Sequence, residues 1–571
     1  MGRALDVRRR VCLVAVVAAV LTVSSVPRLA ATPTSAPAGV AATAPRLRIP
    51  FPQDDGSLTP YTFELGYSLM SLVYDTLLWR DAEGRPQPWL ARSVVTSPDG
   101  LQVTVRLADG ARWHDGAPVT AEDVAFTFDY VARRFHPRFT PALREVDRVQ
   151  VFDPSTLVIV LRRPAPGFAD QPLADMPILP AHLWRDLPAD RPAPEGLAIG
   201  SGPYRLSEYR SGQGWRFEAN PVYFRGAPAV AAIEVPVIRD LNETLEAFRQ
   251  RRVDMVAASL PATALERVTG FGTSVARGPS YLGTVLLFNL RRAPFDRVEA
   301  RQAVAAVLDP ARLARSVGNA VPADRGYLHP ASPWALEVTA AVDSPAQAPE
   351  PSAVQVPVRI LAPDNDPVKL DAGRQVVRTL TRAGMTAELI TVSRQELERA
   401  VGEDGSPPSF EAAIWSAPPL ASYDPTFLTR LFGSDPLDAR FNLTGYTSAA
   451  FDEAATRVRS ITDPVGRRTA VGDLLKVLAD DAPVVSLFYS DGAFAYRPAI
   501  YDGWVYVKGT GILDKRSFVE PRGDNQTAGG AEGTEQESSD SGDSRFPLGW
   551  SAVGVLVIAG LLGAAQLGRK R

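Results

Sequence analysis

Residues 67–135 contain sequence patterns for helices, turns and a strand in a fixed order, which is compatible with few folds. Apolar residues at helical spacing lead into a turn at residues 83–86. An alternating strand from Leu101 to Leu107 follows, bounded on both sides by Asp-Gly turn dipeptides. Thr120 and Asp123 then have the spacing of a capping box at the start of a second helix. This stretch therefore predicts a helix, a strand and a second helix in that order.

The composition excludes several classes of protein. A chain of 571 residues can hold two or three domains with sizeable cores. The formal net charge of −3 and the absence of a basic stripe argue against a nucleic-acid partner. A single cysteine, Cys12, excludes a disulfide framework and a cysteine zinc site. None of the four histidines is paired at helical spacing, so we expect neither a metal nor a cofactor.

The N-terminal segment is typical of a secretory signal. Arg8, Arg9 and Arg10 precede an apolar run from Val11 to Val23, which is too short to span a bilayer comfortably. The Ala/Pro/Thr-rich residues that follow predict a flexible spacer. We therefore expect residues 1–45 to be a signal peptide and spacer.

The C-terminal segment predicts a membrane anchor. Leu548 to Leu567 is apolar and of spanning length, and residues 569–571 are basic. Basic residues stay in the cytoplasm, which places the protein's body outside the cell. Residues 522–545 are rich in Gly, Ser, Glu and Asp and predict a disordered acidic linker ahead of the anchor at 546–571. The alternative is that residues 548–567 form a buried core helix.

Several short segments recur in a fixed order that resembles a known family. They are Pro86-Gln87-Pro88-Trp89-Leu90-Ala91, Pro98-Asp99-Gly100-Leu101, Trp113-His114-Asp115-Gly116, Gly200-Ser201-Gly202-Pro203-Tyr204 and Asn220-Pro221-Val222-Tyr223. Together they resemble the signature of the family 5 extracellular solute-binding proteins, the receptors of ABC importers for peptides and nickel complexes. The family has Thr where Ser201 stands. We assign His114 and Asp115 to a structural turn rather than to an acid/base pair.

The resemblance implies a two-lobed α/β fold like that of the type II periplasmic binding proteins, with an extra subdomain. The solute-binding domain would span residues 46–521. Lobe 1 would comprise about 46–290 and 486–521, with an inserted subdomain at about 67–194. Lobe 2 would comprise about 291–485.

Two further predictions concern the second lobe. Val356 to Leu361, a helix from about Lys369 to Ala383, and Thr386 to Val392 predict a β–α–β unit with parallel strands. By resemblance, the chain would enter this lobe through residues 289–308 and return through residues 481–488.

The implied function is that of the extracellular binding component of an ABC importer. A monomer on the outer side of the membrane would capture an oligopeptide or similar small solute and deliver it to a permease driven by an ATPase. No Gly-x-Ser-x-Gly elbow, His-Glu-x-x-His helix or phosphate-binding loop is present, so we expect no enzymatic activity. The alternatives are a surface peptidase and a membrane-tethered ligand sensor on the same scaffold.

Four residues are candidates for ligand contact in the cleft between the lobes. By resemblance, Asp424 would bind the α-ammonium group of a peptide, and its replacement by Ala would weaken binding while leaving stability nearly intact. Its alternative role is a helix N-cap ahead of Pro425. Trp415 and Tyr423 could line the cleft, although Trp415 could equally lie in the core, and Tyr281 is a further candidate.

Overall fold

The structure is a computed structural model that describes residues 44–61, 67–187, 198–257, 259–270, 272–323, 327–338, 349, 354, 356–403 and 405–521. The predicted signal segment, the acidic linker and the apolar segment 548–567 lie outside the described residues. Within the described ranges, no helix combines the length and the hydropathy that a membrane span requires.

The described strands are short except for two. They are β1 (Leu47–Arg48), β2 (Leu78–Arg80), β3 (Pro86–Pro88), β4 (Ala91–Thr96), β5 (Gln102–Leu107), β6 (Val146–Asp153), β7 (Thr156–Leu161), β8 (Tyr204–Arg210), β9 (Gly214–Ala219), β10 (Ala232–Pro236), β11 (Ser274–Phe288), β12 (Ala320–Pro322), β13 (Val358–Pro363), β14 (Ala387–Val392), β15 (Ala412–Ala417) and β16 (Val484–Tyr496).

The described helices lie mostly in the C-terminal half. They are α1 (Tyr67–Val73), α2 (Ala121–Arg133), α3 (Ala181–Trp184), α4 (Leu241–Arg249), α5 (Ala262–Glu266), α6 (Val298–Val307), α7 (Pro310–Val317), α8 (Pro367–Arg382), α9 (Arg394–Val401), α10 (Leu420–Tyr423), α11 (Thr426–Phe432), α12 (Ala449–Ser460), α13 (Pro464–Asp481) and α14 (Arg516–Val519).

Three principal sheets divide the molecule. A sheet of order β1-β10-β9-β8 forms one core, and a separate antiparallel sheet of order β4-β5-β7-β6 packs with α2 in a second core. A mixed sheet of order β12-β16-β11-β15-β13-β14 has a core on each of its faces. The antiparallel sheet lies within the range predicted for the inserted subdomain.

The two long strands β11 and β16 join the lobes. They pair antiparallel from Ser274–Tyr496 to Leu287–Val484, with a break in register between Pro279 and Gly283. On one side of the break Phe494 and Tyr496 pack in the core of the first lobe, and on the other side Leu286 packs in a core of the second. The crossing therefore lies inside these strands rather than beyond Asn289, where we predicted it.

The predictions that depend on residues close together in the sequence are confirmed. Thr120 and Asp123 form the predicted capping box at the start of α2, and the predicted strand appears as β5. β13, α8 and β14 form the predicted β–α–β unit, since β13 and β14 are parallel in register. Gly384, with φ of 86°, follows the end of α8 as a left-handed cap.

Two segments of the family-like signature meet at a tight turn. A Cβ atom at Gly200 would lie 1.9 Å from the carbonyl oxygen of Val73, so only glycine fits there. The His114 ring contacts this turn, with its Nε2 3.0 Å from the carbonyl oxygen of Gly202. Burial lowers the pKa of His114 to about 4, which keeps the ring neutral. These contacts are those of a structural turn, as we predicted.

Other signature residues converge on one buried carboxylate. Lys515 Nζ lies 2.8 Å from Asp75 Oδ1, and both side chains are fully buried. Trp89 Nε1 and the Tyr223 hydroxyl also donate to Asp75 Oδ1, and the Ser201 hydroxyl donates to Oδ2. The Asp75 carboxylate therefore ties the C-terminal end of the folded body to residues far away in the sequence.

Removing the cation from this network should be strongly destabilising. Lys515→Met leaves the Asp75 carboxylate buried without its cation, and we expect it to lower the free energy of unfolding by about 3–5 kcal/mol in urea titrations. Lys508→Met is the matched control, because Lys508 pairs with Glu83 at a partly exposed site and should contribute less than about 1 kcal/mol. Equal losses in the two variants would contradict this account.

Candidate functional site

A large cavity lies between the two lobes. Its volume is about 1000 Å³, at the upper end of the roughly 300–1000 Å³ that small-molecule sites occupy. His136, Arg138 and Leu241 line it from the first lobe, and Trp415 and Phe427 are among the residues that line it from the second. The wall is mostly apolar, with charged side chains at intervals. We call this cavity the interlobe cleft.

One strand presents an open edge to the interlobe cleft. β15 pairs with β11 along its whole length, from Phe288–Ala412 to Gly283–Ala417. Its pairing with β13 includes only Ala412 and Ala413. Residues 414–417 therefore have a neighbouring strand on one side only within the described structure, and Trp415, Ser416 and Ala417 line the cleft. A strand with an open side can pair with a further extended chain.

Of the four predicted contact residues, Trp415 lies in the cleft wall. Its side chain is half-buried, and its backbone belongs to the open-edged part of β15. An aromatic ring at this position can pack against an apolar group of a ligand whose main chain lies along the strand. Its role in binding stays a prediction.

Tyr423 and Tyr281 pack against each other away from the wall of the interlobe cleft. Their ring centroids are 5.3 Å apart at 71°, and the Tyr281 side chain is 1% exposed. The Tyr423 hydroxyl donates to the Lys508 carbonyl at 2.7 Å, and the Arg80 guanidinium lies 3.7 Å from the centre of its ring. Burial raises the pKa of both tyrosines. In this position the two rings can support the wall of the cleft from behind. Direct ligand contact by either ring stays a prediction.

Asp424 is already paired within the protein. Its carboxylate is buried, and Arg467 Nη2 lies 2.7 Å from Oδ1 and 2.8 Å from Oδ2. The backbone N–H of Thr426 also donates to Oδ1 at 2.8 Å, at the start of α11. The second contact joins Asp424 to the start of α11, although the N-cap residue of α11 is Pro425 and not Asp424 as in the capping alternative. The first contact could not be predicted from local sequence, since Arg467 lies 43 residues away.

Asp424 also lines a second and smaller cavity between the lobes. This charged chamber has a volume of about 70 Å³. Asp170 from the inserted subdomain faces it, with Oδ1 2.6 Å from Arg80 Nη1. Burial raises the pKa of Asp170 to about 6, against the opposing effect of Arg80, and the nearby Asp424 charge raises it further.

Polar contacts around the charged chamber hold the lobes together. Arg144 of the inserted subdomain pairs with Asp438 and, at 2.5 Å, with Asp435. In the reverse direction, Arg430 Nη1 donates to Gln171 Oε1 at 2.9 Å, and its Nη2 donates to the Pro137 carbonyl at 3.0 Å. The described structure is therefore one in which the lobes touch across the chamber.

No group of three or more His, Cys, Asp and Glu side chains in the described ranges is arranged to hold a metal ion. The arrangement of the cleft instead offers backbone groups, apolar surface and charged side chains, which are suited to holding a flexible organic ligand.

The chain belongs to family 5 of the bacterial extracellular solute-binding proteins. The sequence model described as “Bacterial extracellular solute-binding proteins, family 5 Middle” matches residues 85–436, which is more than half of the chain. This match includes the antiparallel sheet of β4 to β7, the crossing strand β11 and the cleft strand β15. It confirms the resemblance on which the predicted fold and function rest.

Individual relatives agree with the family assignment. The oligopeptide-binding protein AppA of Bacillus subtilis is 25% identical over 483 residues, which cover 78% of this chain and 86% of AppA. A putative ABC transporter peptide-binding protein of Brucella ovis is 29% identical over 247 residues, which cover 42% of this chain. The match spans 46% of the Brucella protein, or about half of its length.

Solved structures share the fold. AppA of Bacillus subtilis, solved with a nonapeptide, has a TM-score of 0.71 at 18% identity, covering 83% of this chain and 98% of the AppA chain. NikA of Brucella suis, solved with Fe(III)-EDTA, has a TM-score of 0.72 at 20% identity, covering 84% of this chain and 100% of the NikA chain. These neighbours confirm the predicted two-lobed α/β solute-binding fold.

Because Asp424 is paired with Arg467, we expect its replacement to destabilise the protein, contrary to the prediction from the sequence. Asp424→Ala leaves Arg467 as a buried cation without its carboxylate, so we expect the free energy of unfolding to fall by about 3–5 kcal/mol in urea titrations. Asp473→Ala is the matched control, because Asp473 pairs with Arg457 at the surface and should contribute less than about 1 kcal/mol. An Asp424→Ala variant as stable as the control would show that the pair is not formed.

The raised pKa of Asp170 gives stability a defined pH dependence. Its folded-state pKa lies above the ordinary value, so the neutral carboxyl group is favoured in the folded protein. This contribution to stability is fully present below about pH 4 and is lost as the pH rises through about 6. We expect the melting temperature of the unaltered protein to fall, relative to that of Asp170→Asn, as the pH is raised over this window. Parallel melting curves would contradict the shift.

Proposed function

We propose that this protein is the extracellular binding component of an ABC importer and that it captures peptides. The relatives support this proposal, since they are named as oligopeptide-binding and ABC transporter peptide-binding proteins. The observation that carries it is the open edge of β15 over residues 414–417, which faces the interlobe cleft. Such an edge binds an extended main chain, which every peptide has.

The geometry suggests how binding would proceed. The peptide would lie along β15 as an added strand, so that its main-chain groups bond to the strand and alternate side chains point to opposite sides. Trp415 and the apolar wall would cover side chains of different sizes. Since main-chain bonds do not depend on side-chain identity, this arrangement would accept many peptide sequences. The protein would hold the peptide without altering it.

Lobe movement would control access to the interlobe cleft. β11 and β16 cross between the lobes at a break in register near residues 279–283, where small changes in backbone angles can reorient one lobe. Closure would bring the inserted subdomain and the second lobe into the contacts made by Arg144 and Arg430. Opening those contacts would release the peptide to a permease.

The proposal keeps Asp424 as the residue that binds the α-ammonium group of a peptide, but with one condition. A peptide α-ammonium group could reach the carboxylate only if Arg467 moved or shared it, because Arg467 contacts both oxygens. Tyr423 and Tyr281 would support the adjoining wall.

The cellular placement is also part of the proposal. Residues 11–23 would direct secretion, and residues 548–567 would anchor the monomer with its body on the outer face of the membrane. The partners would be an ABC permease and its ATPase.

A library experiment tests peptide capture by main-chain pairing. The full-length protein is incubated with randomised pentapeptides, and retained peptides are identified by mass spectrometry. A retained sequence is then resynthesised with one N-methyl group at each amide in turn. We expect methylation at alternate amides to weaken binding about two- to tenfold, because each lost hydrogen bond contributes about 0.5–1.5 kcal/mol. The intervening amides should tolerate methylation, since they point away from β15.

Variants of the protein provide the control. Trp415→Ala should weaken binding of the retained peptide, and Phe152→Ala should not, because Phe152 is an exposed aromatic residue of β6 outside the cleft wall. Absence of any retained peptide would refute peptide capture. Retention with no alternation in the methylation series would refute strand addition while leaving capture intact.

A further inference from the structure

The core of the antiparallel sheet β4-β5-β7-β6 approaches the second lobe closely at Gly167. The next residue, Phe168, packs in that core. A Cβ atom at Gly167 would lie 2.9 Å from Thr426 Oγ1 and 3.0 Å from Asp424 Oδ1, which belong to residues at and just before the start of α11. Both separations are shorter than ordinary van der Waals contact. Glycine therefore lets the two surfaces meet at a distance that any other residue would prevent.

Polar contacts in both directions surround this close approach. Arg144, beside the core of the antiparallel sheet, pairs with the buried Asp438 of the second lobe. In return, Arg430 of the second lobe donates to Gln171 Oε1 at 2.9 Å and to the Pro137 carbonyl at 3.0 Å. The residues that make these contacts from the side of the antiparallel sheet, which we call the clasp, are Pro137, Arg144, Gly167 and Gln171.

The clasp closes one side of the interlobe cleft. Pro137 lines the cleft, and so do Phe427 and Leu428 in the first turn of α11. Arg430, from the same helix, joins these two walls through its bond to the Pro137 carbonyl. A ligand in the cleft would therefore be enclosed on this side by contacts between protein groups, which do not depend on what the ligand is.

The charges at the clasp allow it to open reversibly. Four carboxylates near the contact have a cation on their own side of it, and these pairs are Asp170–Arg80, Glu145–Arg163, Asp424–Arg467 and Asp438–Arg430. Separation of the lobes leaves each of these carboxylates paired. Asp435, which also pairs with Arg144, is 34% exposed and can be hydrated when the lobes part. Opening thus avoids the large cost of a buried charge without a counter-ion.

We propose that the antiparallel sheet serves as a clasp that controls how fast a ligand is released, with Gly167 as the position that permits closure. Gly167 lines the charged chamber and is outside the wall of the interlobe cleft. Recognition and release would then depend on different residues. A looser clasp would raise the dissociation rate and leave the preference among peptides unchanged. This inference rests on the proposed capture of peptides and adds to it a control of residence time.

A reversible cross-link tests the clasp. Gly167→Cys and Thr426→Cys are combined in the full-length protein, since the two positions are close enough for a disulfide. The protein is loaded with a retained pentapeptide and oxidised, and release is followed after dilution. We expect oxidation to slow release more than about tenfold and reduction to restore it, because the bridge prevents the lobes from parting. Mass spectrometry distinguishes this bridge from any that involves Cys12, the single native cysteine.

A larger side chain at Gly167 provides the opposite change. Gly167 does not adopt a left-handed conformation, so its backbone accepts valine. Gly167→Val should hold the surfaces apart and raise the dissociation rate about tenfold, with the same peptides retained from a random library. Gly472→Val is the matched control, because a Cβ atom there would have its nearest contact in the described structure at 3.6 Å, with Leu336 Cδ1. It should leave the dissociation rate unchanged.

The outcomes separate the clasp from the proposed function. Slower release on oxidation, together with faster release from Gly167→Val, supports the clasp. Release from the bridged protein at the rate of the reduced protein would overturn the clasp and leave peptide capture standing. Failure of the two cysteines to bridge would also overturn it, since the surfaces would not meet. If the unaltered protein retains no peptide, capture fails and the clasp fails with it.

Discussion

The pairing of β11 with β16 is the interaction on which the rest of the structure depends. These two strands run through both lobes, and the register break at residues 279–283 marks the crossing. Beside it, a Cβ atom at Gly278 would lie 2.5 Å from the Tyr506 ring, and one at Gly492 would lie 2.2 Å from the Tyr506 hydroxyl. The glycines let Tyr506 lie across both strands, where its hydroxyl donates to the Gly278 carbonyl at 2.7 Å. The crossing thus combines continuous pairing with a defined point of bending.

In the proposed function, this crossing also determines where a ligand would bind. Because β15 pairs with β11 just beyond the break, the open edge of β15 stands at the mouth between the lobes. Its other neighbour, β13, diverges after Ala413 and leaves the edge free. In the proposed function, a solute lying there would touch both lobes, so its binding and lobe closure would be coupled. The order of strands in one sheet would then determine function, and the peripheral parts would shape the cavity.

Sequence reasoning succeeded where structure depends on near neighbours. The capping box at Thr120, the β–α–β unit and the turn at residues 113–116 each depend on residue types at short, fixed spacing. The family-like signature has a physical basis in the Asp75 carboxylate, on which Trp89 and Tyr223 converge. The sequence showed these residues as a pattern, but it did not show that they share one buried partner.

Sequence reasoning could not show the surroundings of side chains whose partners are distant in the chain. Asp424 stood out as a carboxylate after an aromatic strand, yet nothing local indicated that Arg467 would neutralise it. Tyr281 and Tyr423 had the chemistry of cleft walls, but their placement depends on packing between segments far apart in the chain.

The account's central claim is that a solute is held between hinged lobes, along the open edge of β15. A crystal structure of the full-length protein with a retained peptide tests this claim most directly. We predict an extended peptide in the interlobe cleft, with main-chain hydrogen bonds to residues 414–417. A peptide bound outside the cleft, or one in the cleft without main-chain bonds to β15, would contradict the account.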